Sequence, residues 1–178
     1  TNIQKACSWL ENFQQEIEGT PRALFICGKP GLGKSSLARI LLNHFNYEVI
    51  EFNSSDIRNQ KLVREKLNNI MGKVNISSMM GGNKFSGIIM DEVDGMSSGD
   101  KGGVSELISF INPNKGKRKK DKKKLPYQNP IICICNSDKD KKVQDLKKEC
   151  ESLKFCFPKL SEITVFAQKI VQQENIKV

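Results

Sequence analysis

Gly28-Lys29-Pro30-Gly31-Leu32-Gly33-Lys34-Ser35 constrains this chain more than any other stretch, because it fills every fixed position of a P-loop and follows the apolar run Ala23-Leu24-Phe25-Ile26-Cys27. That run reads as a buried strand, and the segment after the loop, with Leu37, Ile40 and Leu41 at helical spacing from Ser36 to Asn43, reads as a helix. A strand, a glycine-rich turn and a helix start together make a phosphate site: the glycines let successive N–H groups point inward, and the helix N-terminus favours an anion. The candidate cradle is Gly28, Lys29, Pro30, Gly31, Leu32, Gly33, Lys34, Ser35 and Ser36. Lys34 is placed to reach β- and γ-phosphates, and the Ser35 hydroxyl to ligate Mg²⁺.

A second motif stands where such a site needs it. Gly87-Ile88-Ile89-Met90-Asp91-Glu92 is an apolar strand ending in two carboxylates, and a parallel strand delivers them to the sheet edge that carries the phosphate loop. Asp91 is the candidate metal residue and Glu92 the candidate base for an attacking water. A third apolar strand, Ile131-Ile132-Cys133-Ile134-Cys135, ends in Asn136. If that strand lies between the other two, the Asn136 amide reaches the γ-phosphate or the water; a turn cap before Ser137-Asp138 is the alternative on spacing alone.

Further elements follow from periodicity. Ala6, Trp9, Leu10, Phe13 and Ile17 form a helical stripe expected under the first strand, with Trp9 in the core. Tyr47 to Phe52 reads as a strand, Leu62, Val63, Leu67 and Ile70 as a helix, and Val104, Leu107, Ile108 and Ile111 as another. Leu153, Phe155 and Phe157 alternate with Lys154 and Cys156, giving a fifth, half-buried strand that Pro158 ends. From Ser161 onward, Ile163, Phe166, Ala167, Ile170 and Val171 begin a helix with no partner in the chain. His44 is expected as a surface or capping residue.

Composition fits an intracellular α/β protein. The 178 residues, 38% hydrophobic, suffice for one substantial core, no apolar run approaches a membrane span, and no signal peptide is recognised. Six cysteines without C-x-x-C spacing read as reduced core thiols rather than a zinc or disulfide framework. The net charge of +9 is local: Lys115 to Lys124 holds eight basic residues against Asp121 alone, so seven of the nine positive charges lie there. Nucleic-acid contact, nuclear import and a solvated loop without a dedicated partner all remain open for that segment.

Four blocks carry a resemblance. Phe52-Asn53-Ser54-Ser55-Asp56-Ile57-Arg58, Ile89-Met90-Asp91-Glu92-Val93-Asp94-Gly95-Met96, Gly99-Asp100-Lys101-Gly102-Gly103-Val104 and Pro130-Ile131-Ile132-Cys133-Ile134-Cys135-Asn136 resemble the large subunit of the replication factor C clamp loader. The resemblance runs from about Cys7 to the end. It departs at Lys29, where proline is usual, and at Lys101, where arginine is usual.

That resemblance implies an α/β fold, a three-layer P-loop AAA+ core with a five-stranded parallel sheet in the order 5-1-4-3-2. Residues 1–159 would form the nucleotide-binding core and 160–178 the first helix of a truncated helical lid, with ATP and Mg²⁺ as cofactors. Strand order then makes Asn136 a sensor of the γ-phosphate, completing a catalytic set with Glu92 and Lys34, while Ser35 and Asp91 hold the metal. The implied partners are small clamp-loader subunits, a sliding clamp and double-stranded primer-template DNA, at a nuclear or other replication site and without a membrane. Arg58, Lys101, Gly102 and Gly103 fall where the family meets DNA, and Ile76, Met79 and Met80 where its large subunits carry a clamp-binding box. The small subunits' Ser-Arg-Cys element, whose arginine enters a neighbour's site, is replaced here by Lys148-Glu149-Cys150, so this chain would donate no such arginine. A small-molecule P-loop kinase and a nucleotide-binding scaffold without turnover are the competing readings; the five arginines are scattered rather than gathered in a substrate lid, and Glu92 argues for turnover.

Overall fold

The computed structural model describes residues 1–53, 60–71, 85–96, 102–112 and 129–174. Eleven elements alternate along them: α1 (Asn2–Gln14), β1 (Ala23–Cys27), α2 (Lys34–His44), β2 (Glu48–Asn53), α3 (Gln60–Met71), β3 (Ser86–Asp91), α4 (Gly103–Ile111), β4 (Ile131–Cys135), α5 (Lys141–Lys147), β5 (Glu151–Lys154) and α6 (Leu160–Gln173). The strands form one parallel sheet in the order β2-β3-β4-β1-β5, which is the expected order.

Helices cover both faces, so β1 and β4 are apolar and buried along their whole length, and β3 is buried up to Met90. Alternation sends Ala23, Phe25, Cys27, Ile88, Met90, Ile131, Cys133 and Cys135 to one side, against Val63 and Leu67 of α3, Val104, Leu107 and Ile111 of α4, and Val143 and Leu146 of α5. Leu24, Ile26, Ile89, Ile132, Ile134 and Leu153 face the other, against Ala6, Trp9 and Leu10 of α1 and Ala38, Leu41 and Leu42 of α2. Trp9 is a core residue as expected, and its indole Nε1–H donates to Pro21 O across 2.8 Å.

Several elements differ from their sequence reading. The helix after the phosphate loop starts at Lys34, and its buried stripe is Ala38, Leu41 and Leu42; Ile40 is 66% exposed. Ile17 lies past the end of α1 and is also exposed, since the helix stops at Gln14. The fifth strand is Glu151–Lys154, so only Leu153 is buried by it: Phe155 makes one more bond, its N–H donating to Cys27 O at 2.7 Å, and Phe157 lies beyond it in solvent. None of the described residues of α6 is buried, although Leu160, Ile163, Val165, Phe166 and Ile170 are large and apolar. His44 is the exposed last residue of α2.

Two glycines set how closely elements approach. A Cβ on Gly28 would lie 2.6 Å from Phe155 O and 2.7 Å from Phe155 Cβ, so the absence of a side chain lets the β1 exit pass against the chain leaving β5. A Cβ on Gly87 would lie 2.6 Å from Leu42 Cδ2, which puts α2 directly over β3.

Candidate active site

β1, β3 and β4 are neighbours in the sheet and run the same way, so their C-terminal ends bring the phosphate loop, Asp91 and Asn136 to one edge. The loop owes its curl to Gly31 (φ 78°) and Gly33 (φ 77°), both in the left-handed region that glycine occupies without steric cost. Gly33 is also the N-cap of α2 and has no side chain to occupy the orphan N–H groups there. The first turn of α2 is therefore open to an anion.

Lys34 is 6% exposed. Its Nζ donates to Lys29 O and to Asn136 Oδ1, each at 2.9 Å. A buried ammonium that has only neutral oxygens around it is a strong attractor for phosphate charge. Ser35 Oγ donates to Asp91 Oδ2 at 2.7 Å, so a hydroxyl and a carboxylate already converge as hard oxygen ligands suited to Mg²⁺, a cation that takes one or two protein oxygens plus phosphate oxygens. The residues fit an ATP·Mg²⁺ complex.

Glu92 is exposed at the same edge and adopts φ 57°, a conformation that costs a non-glycine residue roughly 1–2 kcal/mol. Its N–H donates to Asp91 Oδ1 at 2.9 Å, and its carbonyl accepts from Gly95 N–H at 2.7 Å. The tight turn 92–96 thus leaves Glu92 exposed just past the strand while Asp91 stays by Ser35. Spacing alone gave no sign that Glu92 is held in a strained conformation.

One site residue escaped the sequence reading. Asp94 Oδ2 accepts from the backbone N–H groups of Asn136 (3.3 Å) and Ser137 (3.2 Å). The available signal was its place in Asp91-Glu92-Val93-Asp94, a third acid in one strand-exit turn. Beside the site, Arg39 of α2 forks onto Glu51 of β2, with Nη2 to Oε2 at 2.7 Å and Nε to Oε1. That bond holds the Glu51 carboxyl below its usual range and the guanidinium above its own, and the Asp91 charge adds to the latter. Lys147 of α5 donates to Asp138 Oδ2 at 2.7 Å, lowering that carboxyl. Burial, and then contact with Cys27, pushes the Cys135 thiol up; contact with Cys150, and then burial, does the same to Cys133, so these thiols stay protonated packing groups.

Arg58, Lys101, Ile76, Met79, Met80 and the Lys115–Lys124 run lie outside the described residues. Gly102 and Gly103 lie within them: Gly102, at φ 115°, is the N-cap of α4, and Gly103 is its buried first residue. Glu149 is half-buried and its Oε2 accepts from Asn112 Nδ2 at 2.8 Å, tying the end of α4 to the turn before β5.

A parallel five-stranded sheet with a phosphate loop after β1, an acidic pair after β3 and a polar residue after β4 defines a P-loop nucleotide-binding ATPase. Residues 24–155 match the model of the ATPase family associated with various cellular activities (AAA), and the chain belongs to that family. Among curated proteins it is similar to replication factor C subunit 1 of Schizosaccharomyces pombe, 30% identical over 99% of this chain and 20% of that protein. It is 27% identical to subunit 1 of Drosophila melanogaster over 100% of this chain and 19% of that protein. The replication factor C large subunit of Methanococcus aeolicus is 31% identical over 95% of this chain and 32% of its own length. The chain therefore spans about a fifth to a third of these relatives. The resemblance to replication factor C large subunits holds over nearly the whole chain. Solved structures share the fold at low identity: the Aeropyrum pernix ORC2 protein (TM-score 0.65, 14% identical, 95% of this chain and 51% of that one) and the FIGL-1 AAA domain (TM-score 0.64, 16% identical, 96% and 57%).

Proposed function

We propose that this chain is the ATPase core of a clamp-loader large subunit, binding ATP·Mg²⁺ at the β1–β3–β4 edge and acting with small subunits to load a ring-shaped clamp onto primer-template DNA at a nuclear or other site of replication. The observation that carries the ATPase part is the convergence of Lys34 with Asn136 and of Ser35 with Asp91. The clamp-loading part rests on relatives named replication factor C.

In this reading the N–H groups of the Gly28–Ser36 loop and Lys34 hold the β- and γ-phosphates, and Ser35 and Asp91 would hold Mg²⁺, which when bound would supply positive charge against the phosphoryl oxygens. Phosphate entry draws Lys34 Nζ away from its carbonyl partner, while Asn136 keeps an amide beside the γ-phosphate. Glu92 orients a water and takes its proton. Residues 1–159 form the core, and residues 160–178 begin a lid, which accounts for the apolar and unburied α6. Arg58, Lys101 and the α4 start at Gly102-Gly103 meet DNA phosphates; Ile76, Met79 and Met80 enter the clamp. Turnover is efficient in the assembled complex, where a neighbour supplies the arginine that this chain does not donate.

The test is ATP turnover of the full-length protein assembled with its small subunits, with and without clamp and primed DNA. Stimulation by both, loss of nucleotide binding in Lys34→Ala, and retained binding with suppressed turnover in Glu92→Gln are expected. An assembled complex whose turnover ignores clamp and DNA would refute the loading role, and a Glu92→Gln protein with normal turnover would remove the base.

A further inference from the structure

The turn after β3 is tied to the exit of β4 by a backbone bond and by one carboxylate. Val93 N–H donates to Ile134 O at 3.0 Å. One residue further along β4 the ladder ends at Cys135, the last residue in register with β1. The next two N–H groups, of Asn136 and Ser137, are taken by Asp94 Oδ2 at 3.3 and 3.2 Å. Asn136 is the residue whose Oδ1 accepts from Lys34 Nζ, and Asp94 lies in the same turn as Glu92, which Gly95 N–H closes by donating to Glu92 O at 2.7 Å.

We propose that Asp94 is a positioning residue for ATP hydrolysis: by gripping the Asn136 and Ser137 N–H groups it fixes the Asn136 amide against Lys34 and locks it to the turn that carries Glu92. The inference rests on the ATPase reading of this edge and adds a residue that touches neither nucleotide nor water. A carboxylate suits the task, because a single oxygen with two lone pairs can accept from both adjacent N–H groups at once. Where β4 has left the sheet, this carboxylate takes over the role of the neighbouring strand. It also makes the sensor and the base one mechanical unit, so a shift of the β3 turn moves both together. Placement matters at this scale, since a displacement of about 1 Å in a catalytic group costs about a hundredfold in rate.

Asp94→Ala is expected to fold, because the Val93–Ile134 bond and the core beneath it are untouched. In the assembled complex of the full-length protein it should lower kcat by about ten- to a hundredfold while KM for ATP stays within about threefold. Asp94→Asn should fall between, since its amide oxygen still accepts but without charge. The Asp94→Ala/Asn136→Ala double variant should lose no more than about twofold beyond Asn136→Ala alone, as befits a residue acting through another. Hydrogen exchange in the complex should quicken at the peptide holding Asn136 and Ser137 and stay unchanged at Ala23–Cys27. Wild-type kcat in Asp94→Ala, a KM that rises in step with falling kcat, or multiplicative losses in the double variant would overturn the inference. Turnover that Glu92→Gln suppresses and Asp94→Ala leaves alone refutes Asp94 only; a wild-type complex with no turnover refutes the ATPase reading beneath it.

Discussion

Lys34 Nζ and Asn136 Oδ1 meet at 2.9 Å although 102 residues separate them in sequence. The pairing follows from topology: β4 lies directly beside β1, so the residue after β4 faces the loop after β1. Asn136→Ala removes one neutral acceptor from the ammonium and leaves the phosphate loop intact. Nucleotide affinity should change by less than about fivefold, a single neutral hydrogen bond being worth about 1 kcal/mol. Turnover should fall by at least about tenfold if the amide acts at the γ-phosphate as proposed. Fluorescent-nucleotide binding beside steady-state turnover would separate the two, and equal losses in both would assign Asn136 to ground-state binding.

Glu92 holds a strained φ of 57° at the point where a base is needed. Glycine adopts that conformation freely, so Glu92→Gly should unfold no more readily than wild type and gain up to about 1 kcal/mol. It should also lose turnover. Denaturant titration checks the first statement, and a loss above about 1 kcal/mol would show that the Glu92 side chain stabilises the turn rather than straining it.

The main residues of the candidate site were legible because each sits at a position that local patterning defines. Lys34 and Ser35 occupy fixed places in a glycine-spaced loop, and Asp91 and Asn136 end apolar strands. What escaped was set by contacts distant in sequence. Asp94 gains its partners only when the β3 turn meets the β4 exit, and Gly28 matters because Phe155 passes over it. Ile40 failed for another reason: Leu37-Ile40-Leu41 and Ala38-Leu41-Leu42 both satisfy helical spacing, and only the position of the sheet chooses between them. At Phe157 the period-two pattern outlasted the strand, because the alternation carries no signal for where pairing with β1 stops.

Gly28 and Gly87 should respond differently to alanine. At Gly28 the new Cβ meets the backbone oxygen of Phe155, which cannot turn aside, so Gly28→Ala forces the β5 exit off β1 at about 1–3 kcal/mol. At Gly87 the obstacle is the branched end of Leu42. Leu42→Ala alone should cost about 2–5 kcal/mol as a buried truncation. Combined with Gly87→Ala it should cost less than the two singles together, by a coupling of about 0.5–3 kcal/mol, because the added methyl enters the space that Leu42 leaves. Additive losses in urea unfolding would mean that α2 moves as a body rather than Leu42 as a side chain.

Asp138 and Lys147 form a bond whose worth depends on pH at both ends. Lys147 holds the Asp138 carboxyl below its unfolded value of about 3.9, so that contribution is complete above this pH and disappears as pH falls through the lower folded value. Asp138 in turn raises Lys147 above its unfolded value of about 10.4, so the contribution is complete below that pH and is lost as pH rises through the higher folded value. The side chains are 38% and 36% exposed, which limits the pair to under about 1 kcal/mol. Asp138→Asn should therefore be less stable than wild type by a small, constant margin between about pH 5 and pH 9. The margin should shrink toward pH 3 as the wild-type carboxyl takes up its proton, and in 1 M salt as the charges are screened. Unfolding curves of both proteins at pH 7 and pH 3 decide it: a margin that is unchanged or larger at pH 3 would show that Asp138 acts through its shape and not through its charge.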